Sequence, residues 1–194
     1  MKRIIKPNIY QELLIKTGIQ KVMELFFKFP EKEFSLSDVA NETGVAKANL
    51  GNILKKLEQM NFINVEKLSK IWRIRANRKS QYFLRNKIIY NLNFIYQSGL
   101  IEFLYEYYDH PKSIILFGSF RNGEDVSGSD IDISIEQEDF KEYKTLNLKE
   151  LDKFEEQILR KIQIHEFNKS FVDINLFNNI ANGILLFGFL EVKK

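Results

Sequence analysis

The stretch ILFGSFRNGEDVSGSDIDISIE, residues 115–136, gathers the side chains of this chain best suited to chemistry. Asp130 and Asp132 stand one residue apart among isoleucines. In a strand, residues i and i+2 point to one face. The two carboxylates therefore project together, while Ile131, Ile133 and Ile135 pack behind them. Unpaired charge on a buried strand is costly, so either that face is wet or a cation sits on it. Two carboxylates on one rigid face suit Mg2+, which takes oxygen ligands and leaves room for substrate phosphates and water. With two such ions, one lowers the pKa of an attacking hydroxyl and the other steadies a leaving pyrophosphate. Ten residues separate Asp130 from Ser119. Gly118-Ser119 follows the apolar run SIILF, and a small-residue turn after a strand brings backbone N–H groups close to a bound phosphate.

The chain that must position these groups has 194 residues, 44% of them hydrophobic and 13% aromatic, enough for one ordinary domain or two small ones. It has no cysteine, which excludes disulfides, thiolate metal sites and a thiol nucleophile and fits a cytoplasmic location. MKRIIKPNIYQELL lacks the hydrophobic core of a signal peptide, and no apolar run is long enough to span a bilayer. The net charge of +3 is unevenly placed: residues 1–80 hold 16 Lys/Arg against 8 Asp/Glu, and residues 81–194 hold 13 against 18. A basic half joined to an acidic half suggests two modules with different partners.

In the first module, GIQKVMELFFKFP carries Ile19, Val22, Met23 and Phe26 at helical spacing and stops at Pro30. Ser35 and Asp38 fit a capping box for a second helix that Gly44 closes. A third helix, AKANLGNILKKLEQMN, buries Leu50, Leu54 and Leu57. FINVEKLSKIWRIRAN then reads as a hairpin, with Ile63 and Val65 alternating on one arm, Trp72 and Ile74 on the other, and the turn at Lys67 to Lys70. Three helices followed by a basic hairpin resemble a winged helix-turn-helix over residues 17–77. The resemblance implies that the third helix enters a DNA major groove and the hairpin follows the backbone. Outward positions on that helix are Lys47, Asn49, Asn52, Lys55 and Lys56, and Arg73 and Arg75 face out from the hairpin. Asn suits adenine and Lys suits phosphate.

Residues 80–108 are helical in pattern. Leu84, Ile88, Leu92 and Ile95 form one stripe, Gly99 interrupts it, and Leu100, Ile101, Leu104 and Tyr108 begin another. No Gly/Pro/Ser-rich linker separates the modules, so a rigid connection is expected. Core packing accounts for the aromatic stripe, with a homodimer interface as the alternative.

Gly-Ser, ten residues, then Asp-x-Asp between apolar neighbours resembles the polymerase β-like nucleotidyltransferases, and their minimal prokaryotic members in particular. Gly123 also falls where that family often has glycine. The resemblance covers about residues 112–192. It implies a small mixed sheet flanked by helices and Mg2+-dependent attack on the α-phosphate of a nucleoside triphosphate, with two ions and ATP favoured. Gly118 and Ser119 would hold the triphosphate, with Arg121 a further phosphate contact, and Asp130 and Asp132 would hold the metals. The family places a third acid on a later strand. FVDINLF offers Asp173 between apolar neighbours, whereas KIQIHEF follows a helix more promptly and alternates better but puts Gln163 at the acid's place. Residue chemistry favours Asp173 as the third catalytic acid. A neutral amide cannot act as a base, so Gln163 would leave His165 or solvent to help. Arg160 and His165 also match an Arg-x4-His spacing found in helical RNases, a coincidence when the pair spans a helix end and a strand.

The whole reads as an α+β chain: a winged helix at 1–78, a helical connector at 79–109 and a nucleotidyltransferase domain at 110–194. The pairing resembles an archaeal two-domain family. The expected activity is nucleotidyl transfer to a hydroxyl of a protein or nucleic acid, the protein case resembling antitoxins that adenylylate a partner. The alternative is a DNA-binding transcription regulator that senses nucleotide without turnover.

Overall fold

The computed structural model describes residues 16–68 and 71–192. The stretch read for a signal peptide, MKRIIKPNIYQELL, lies outside them, as do Ser69 and Lys70 of the hairpin turn. The described chain divides into two compact units inside one helix, between Tyr90 and Asn91.

The N-terminal unit opens with α1 (Gly18–Lys28), which starts at Thr17 through a capping box with Gln20. β1 (Glu33–Phe34) leads into α2 (Leu36–Thr43). Here the expected box is present: Ser35 Oγ accepts from the Asp38 N–H at 3.2 Å, and the Asp38 carboxylate accepts from the Ser35 N–H at 2.8 Å. The Ser35 N–H holds the Asp38 carboxyl below the usual carboxylate range. The lowered value means that this part of the cap's contribution is present above the ordinary range and is lost as pH falls through the folded value. Gly44 closes the helix in the left-handed region at φ 66°.

α3 (Lys47–Gln59) buries Leu50, Leu54 and Leu57, as its spacing requires. β2 (Ile63–Leu68) and β3 (Ile71–Ala76) pair antiparallel, with β1 on the other edge of β3. The order along this three-stranded sheet is β1-β3-β2. The core is aromatic: Phe27 meets Phe62 edge-on at 5.4 Å and stacks on Tyr90 at 5.2 Å, and Phe62 lies 5.0 Å from Phe83. Burying each such ring contributes roughly 1.5–3 kcal/mol.

α4 (Gln81–Gln97) is continuous across the division between the units. Its buried row differs from the expected stripe by one position. Phe83, Lys87, Asn91, Ile95 and Ser98 are buried, whereas Leu84, Ile88 and Leu92 are only partly covered and Ile89 is 66% exposed. Polar side chains, Lys87, Asn91 and Ser98, take three of these positions, which a stripe drawn by hydrophobicity cannot find. α5 (Leu100–Tyr107) follows Gly99, which adopts φ 81°, and buries Leu100, Leu104 and Tyr108 as expected.

The C-terminal unit is built on a five-stranded sheet of order β6-β7-β5-β4-β8. Its strands are β4 (Ser113–Phe117), β5 (Ile131–Glu136), β6 (Lys144–Leu146), β7 (Ile162–Phe167) and β8 (Ile184–Gly188). Only β5 and β7 run parallel, so the sheet is mixed. α6 (Gly118–Asn122) follows β4, α7 (Asp152–Ile158) precedes β7, and α8 (Ile174–Ala181) lies between β7 and β8. Register and two-residue alternation sort the side chains. One face carries Ile114, Leu116, Ile131, Ile133, Ile135, Ile162 and Ile164, all buried. The other carries Ile115, Phe117, Asp132, Ser134, Gln163, His165 and Phe167. α8 and its flanks cover part of that second face, through Val172, Leu176 and Phe177 beside Ile115, Phe117 and Phe167. Asp132 thus lies on a strand whose other side is entirely aliphatic, and Asp130 directly precedes that strand.

Candidate active site

The turn from β4 into α6 is the first component of the site. Gly118 adopts φ 74°, which L side chains rarely reach, and a Cβ there would lie 2.2 Å from Asp132 Oδ2. The left-handed turn favours glycine, and a methyl there would push the Asp132 carboxylate aside. The cause is the register: Phe117 pairs with Asp132 across β4 and β5, so the next residue of β4 turns directly over that carboxylate. Ser119, in the first turn of α6, is partly exposed. Gly123 ends α6 in the left-handed region at φ 71°. Arg121 donates to Asn122 Oδ1 at 2.8 Å, and neither aspartate is its partner.

A buried polar network holds this turn. Asn91 Nδ2 donates to the Phe120 carbonyl at 2.8 Å and to Asp125 Oδ1 at 2.9 Å. Arg160 donates through Nε and Nη2 to Asp125 Oδ2, both at 3.2 Å, and through Nη1 to the Leu159 carbonyl at 2.9 Å. Asp125 and Arg160 are almost wholly buried, and removing one partner of such a pair costs about 3–5 kcal/mol. The spacing of Arg160 and His165 therefore has no joint meaning: one serves this network and the other faces Asp132. Sequence reasoning missed Asn91 and Asp125, and nothing distinguishes them from neighbouring loop and helix residues until the fold brings them together.

Asp130 is exposed at the start of β5, after a turn closed by Val126 N–H to Ser129 Oγ at 3.0 Å and Ser129 N–H to the Val126 carbonyl at 2.9 Å. A cleft of about 490 Å³ opens beside it, between Ser127–Ser129 and the α7 side chains Asp152, Glu155 and Glu156. Asp132 is 23% exposed, and its Oδ1 lies 3.2 Å from His165 Nε2. The other ring nitrogen of His165 is 2.5 Å from the Tyr143 hydroxyl, which accepts from Thr145 Oγ1 at 3.0 Å. Phe117 packs edge-on against the imidazole at 4.8 Å.

Asp173 does not join these groups as the expected third acid on a sheet strand. FVDINLF is no strand; Asp173 caps α8, its carboxylate accepting from the Asn175 and Leu176 N–H groups at 2.9 and 3.3 Å. An Asp directly before a helical run is better placed as a cap than on a ladder. KIQIHEF is instead β7, and Gln163 stands in register with Asp132. Among the described residues, no three His, Asp or Glu side chains converge to hold a metal ion.

Residues 99–189 match the family model for the polymerase beta nucleotidyltransferases. This segment is a polymerase β-like nucleotidyltransferase domain. Searches of curated proteins and of solved structures return no match. The family typically uses Mg2+. Asp130 and Asp132 would offer carboxylate oxygens of the kind such an ion takes, with substrate phosphates and water completing its shell. The donor set of the nucleotidyltransferase domain fits a metal held jointly with its substrate.

In the N-terminal unit, Lys47, Asn49, Asn52, Lys55 and Lys56 are exposed along α3, with Lys47 Nζ 2.9 Å from Ser37 Oγ. Arg73 and Arg75 face out as expected, but both bind Glu33, at 3.0 and 2.7 Å. Among the described residues no helix is long and apolar enough to cross a membrane.

The Gly118 geometry gives a direct test. Gly118→Ala should leave the fold intact by circular dichroism and weaken nucleoside triphosphate binding at least about tenfold, because the new methyl displaces Asp132 and strains the turn. Gly128→Ala, where a Cβ meets nothing within 4 Å, should bind as the wild type does in the same calorimetric titration.

Proposed function

We propose that the nucleotidyltransferase domain moves a nucleoside monophosphate from a triphosphate, ATP favoured, to a hydroxyl of a protein or nucleic acid. The observation that carries this reading is the contact between the Gly118 backbone and Asp132, which makes a phosphate rest and a metal-binding carboxylate adjacent parts of one site. Gly118 and Ser119 hold the triphosphate, and Arg121, free to turn from Asn122, reaches its phosphates. Asp130 and Asp132 hold Mg2+, which when bound neutralises phosphate charge and lowers the pKa of the attacking hydroxyl. Gln163 stands where the acid of the family is expected and cannot take a proton. The experiment is binding and transfer of α-labelled ATP and other triphosphates with and without Mg2+. Asp130→Ala combined with Asp132→Ala should abolish metal-dependent binding; unchanged binding in that double variant would contradict the assignment.

A second reading has a specific observation in its favour. The element order α1-β1-α2-α3-β2-β3, with a three-stranded antiparallel sheet, supports a winged helix that binds DNA through Lys47, Asn49, Asn52, Lys55, Arg73 and Arg75. The pairs to Glu33 are exposed, and such pairs contribute under about 1 kcal/mol each, so phosphates can replace the carboxylate. Joined to a site without a third acid, this makes a regulator whose DNA binding responds to nucleotide. Its affinity for duplex DNA should fall steeply with salt and change with ATP while no product forms. No measurable DNA binding at low salt would remove this reading.

A further inference from the structure

The 3.2 Å between Asp132 Oδ1 and His165 Nε2 is more informative than an ordinary hydrogen bond. Two donors in neighbouring positions around a divalent ion, each about 2.1 Å from it, lie about 3.0 Å apart. The carboxylate oxygen and the imidazole nitrogen are already at that spacing. The imidazole is also fixed as a metal-bound histidine usually is, by a partner on its other nitrogen. That partner is the Tyr143 hydroxyl at 2.5 Å, itself held by Thr145. For Nε2 to bind an ion its proton must move to Nδ1, where the Tyr143 hydroxyl can accept it, which turns the Nε2 lone pair toward the Asp132 side. Phe117 blocks rotation of the ring from another side, and only 9% of the His165 side chain is exposed. Gln163, one alternation earlier on β7 and in register with Asp132, contributes no charge. The protein half of this metal site therefore carries one carboxylate fewer than a three-acid site and one nitrogen more.

We propose that His165 is a metal ligand in this domain, taking the place of the missing third acid, and that the resulting oxygen-and-nitrogen set selects Mn2+ over Mg2+. Mg2+ favours carboxylate, carbonyl and water oxygens and tolerates imidazole poorly, whereas binding by nitrogen donors strengthens along the transition series from Mn2+ onward. Substrate phosphates and water supply the remaining positions, which accords with the lack of a closed three-ligand cluster among the described residues. The inference rests on the nucleotidyl-transfer reading only for placing a divalent ion at the aspartate pair.

The test is pulsed electron paramagnetic resonance of Mn2+ bound to the untagged full-length chain, alone and with a non-hydrolysable ATP analogue. The chain has two histidines, so nitrogen coupling to Mn2+ is assignable. Coupling should be present in the wild type and in His110→Ala and absent in His165→Ala and His165→Gln, the latter keeping a polar side chain of similar reach. Competition should show Mn2+ bound at least about tenfold more tightly than Mg2+ in the wild type, and this preference should fall by about tenfold in both His165 variants. Bound Mn2+ without nitrogen coupling in the wild type, or an unchanged preference in folded His165→Gln, overturns the proposal. Coupling without any nucleotidyl transfer sustains it and removes the transfer reading. Mg2+-supported transfer without coupling does the reverse.

Discussion

The approach of Gly118 to Asp132 is the constraint around which the C-terminal unit is arranged. β4 and β5 are antiparallel neighbours with Phe117 opposite Asp132, and the chain must leave β4 over the carboxylate without a side chain in the way. Glycine takes the left-handed turn without strain and leaves the Asp132 carboxylate where it is, 2.2 Å from where a methyl would stand. The consequence is chemical as well as steric. In the proposed reading, the turn that would take phosphate stands beside the carboxylate that would take a metal, before any ligand arrives. A site organised in advance needs less rearrangement when substrate binds.

Two other features keep that approach fixed. The aliphatic face formed by Ile131, Ile133, Ile135, Ile162 and Ile164 anchors β5 and β7 from behind, so Asp132 cannot turn inward without exposing isoleucine. The Asn91–Asp125–Arg160 network grips the segment just after the turn, through the Phe120 carbonyl and the Asp125 carboxylate. A buried charge pair of this kind is a poor source of net stability compared with packed hydrophobic residues. Its value here is positional, since it fixes the loop that returns the chain from α6 to Asp130.

Much of this was legible from local pattern. The Ser35–Asp38 box, the leucines of α3 and the hairpin alternation all depend on spacing within a few residues. What was not legible depends on partners far apart in sequence. The buried row of α4 contains Lys87 and Asn91, whose polar groups find partners only in the fold, so a hydrophobic stripe drawn through Leu84, Ile88 and Leu92 misses it by one residue. Asp173 has the right chemistry and the wrong backbone: its carboxylate caps α8. Connectivity favours β7, and β7 brings Gln163 and His165 to Asp132. Tyr143 gave no signal at all, because its role is to orient a ring 22 residues away.

The central claim is that the Gly-Ser turn and the aspartate pair form one nucleotide site. A crystal structure with a non-hydrolysable ATP analogue and a divalent metal tests it most directly. The account predicts the triphosphate against the backbone of Gly118 and Ser119, with the metal bridging its phosphates to Asp130 and Asp132. Nucleotide lodged in the cleft between Ser127–Ser129 and α7, with Asp132 still bound only to His165, would contradict it.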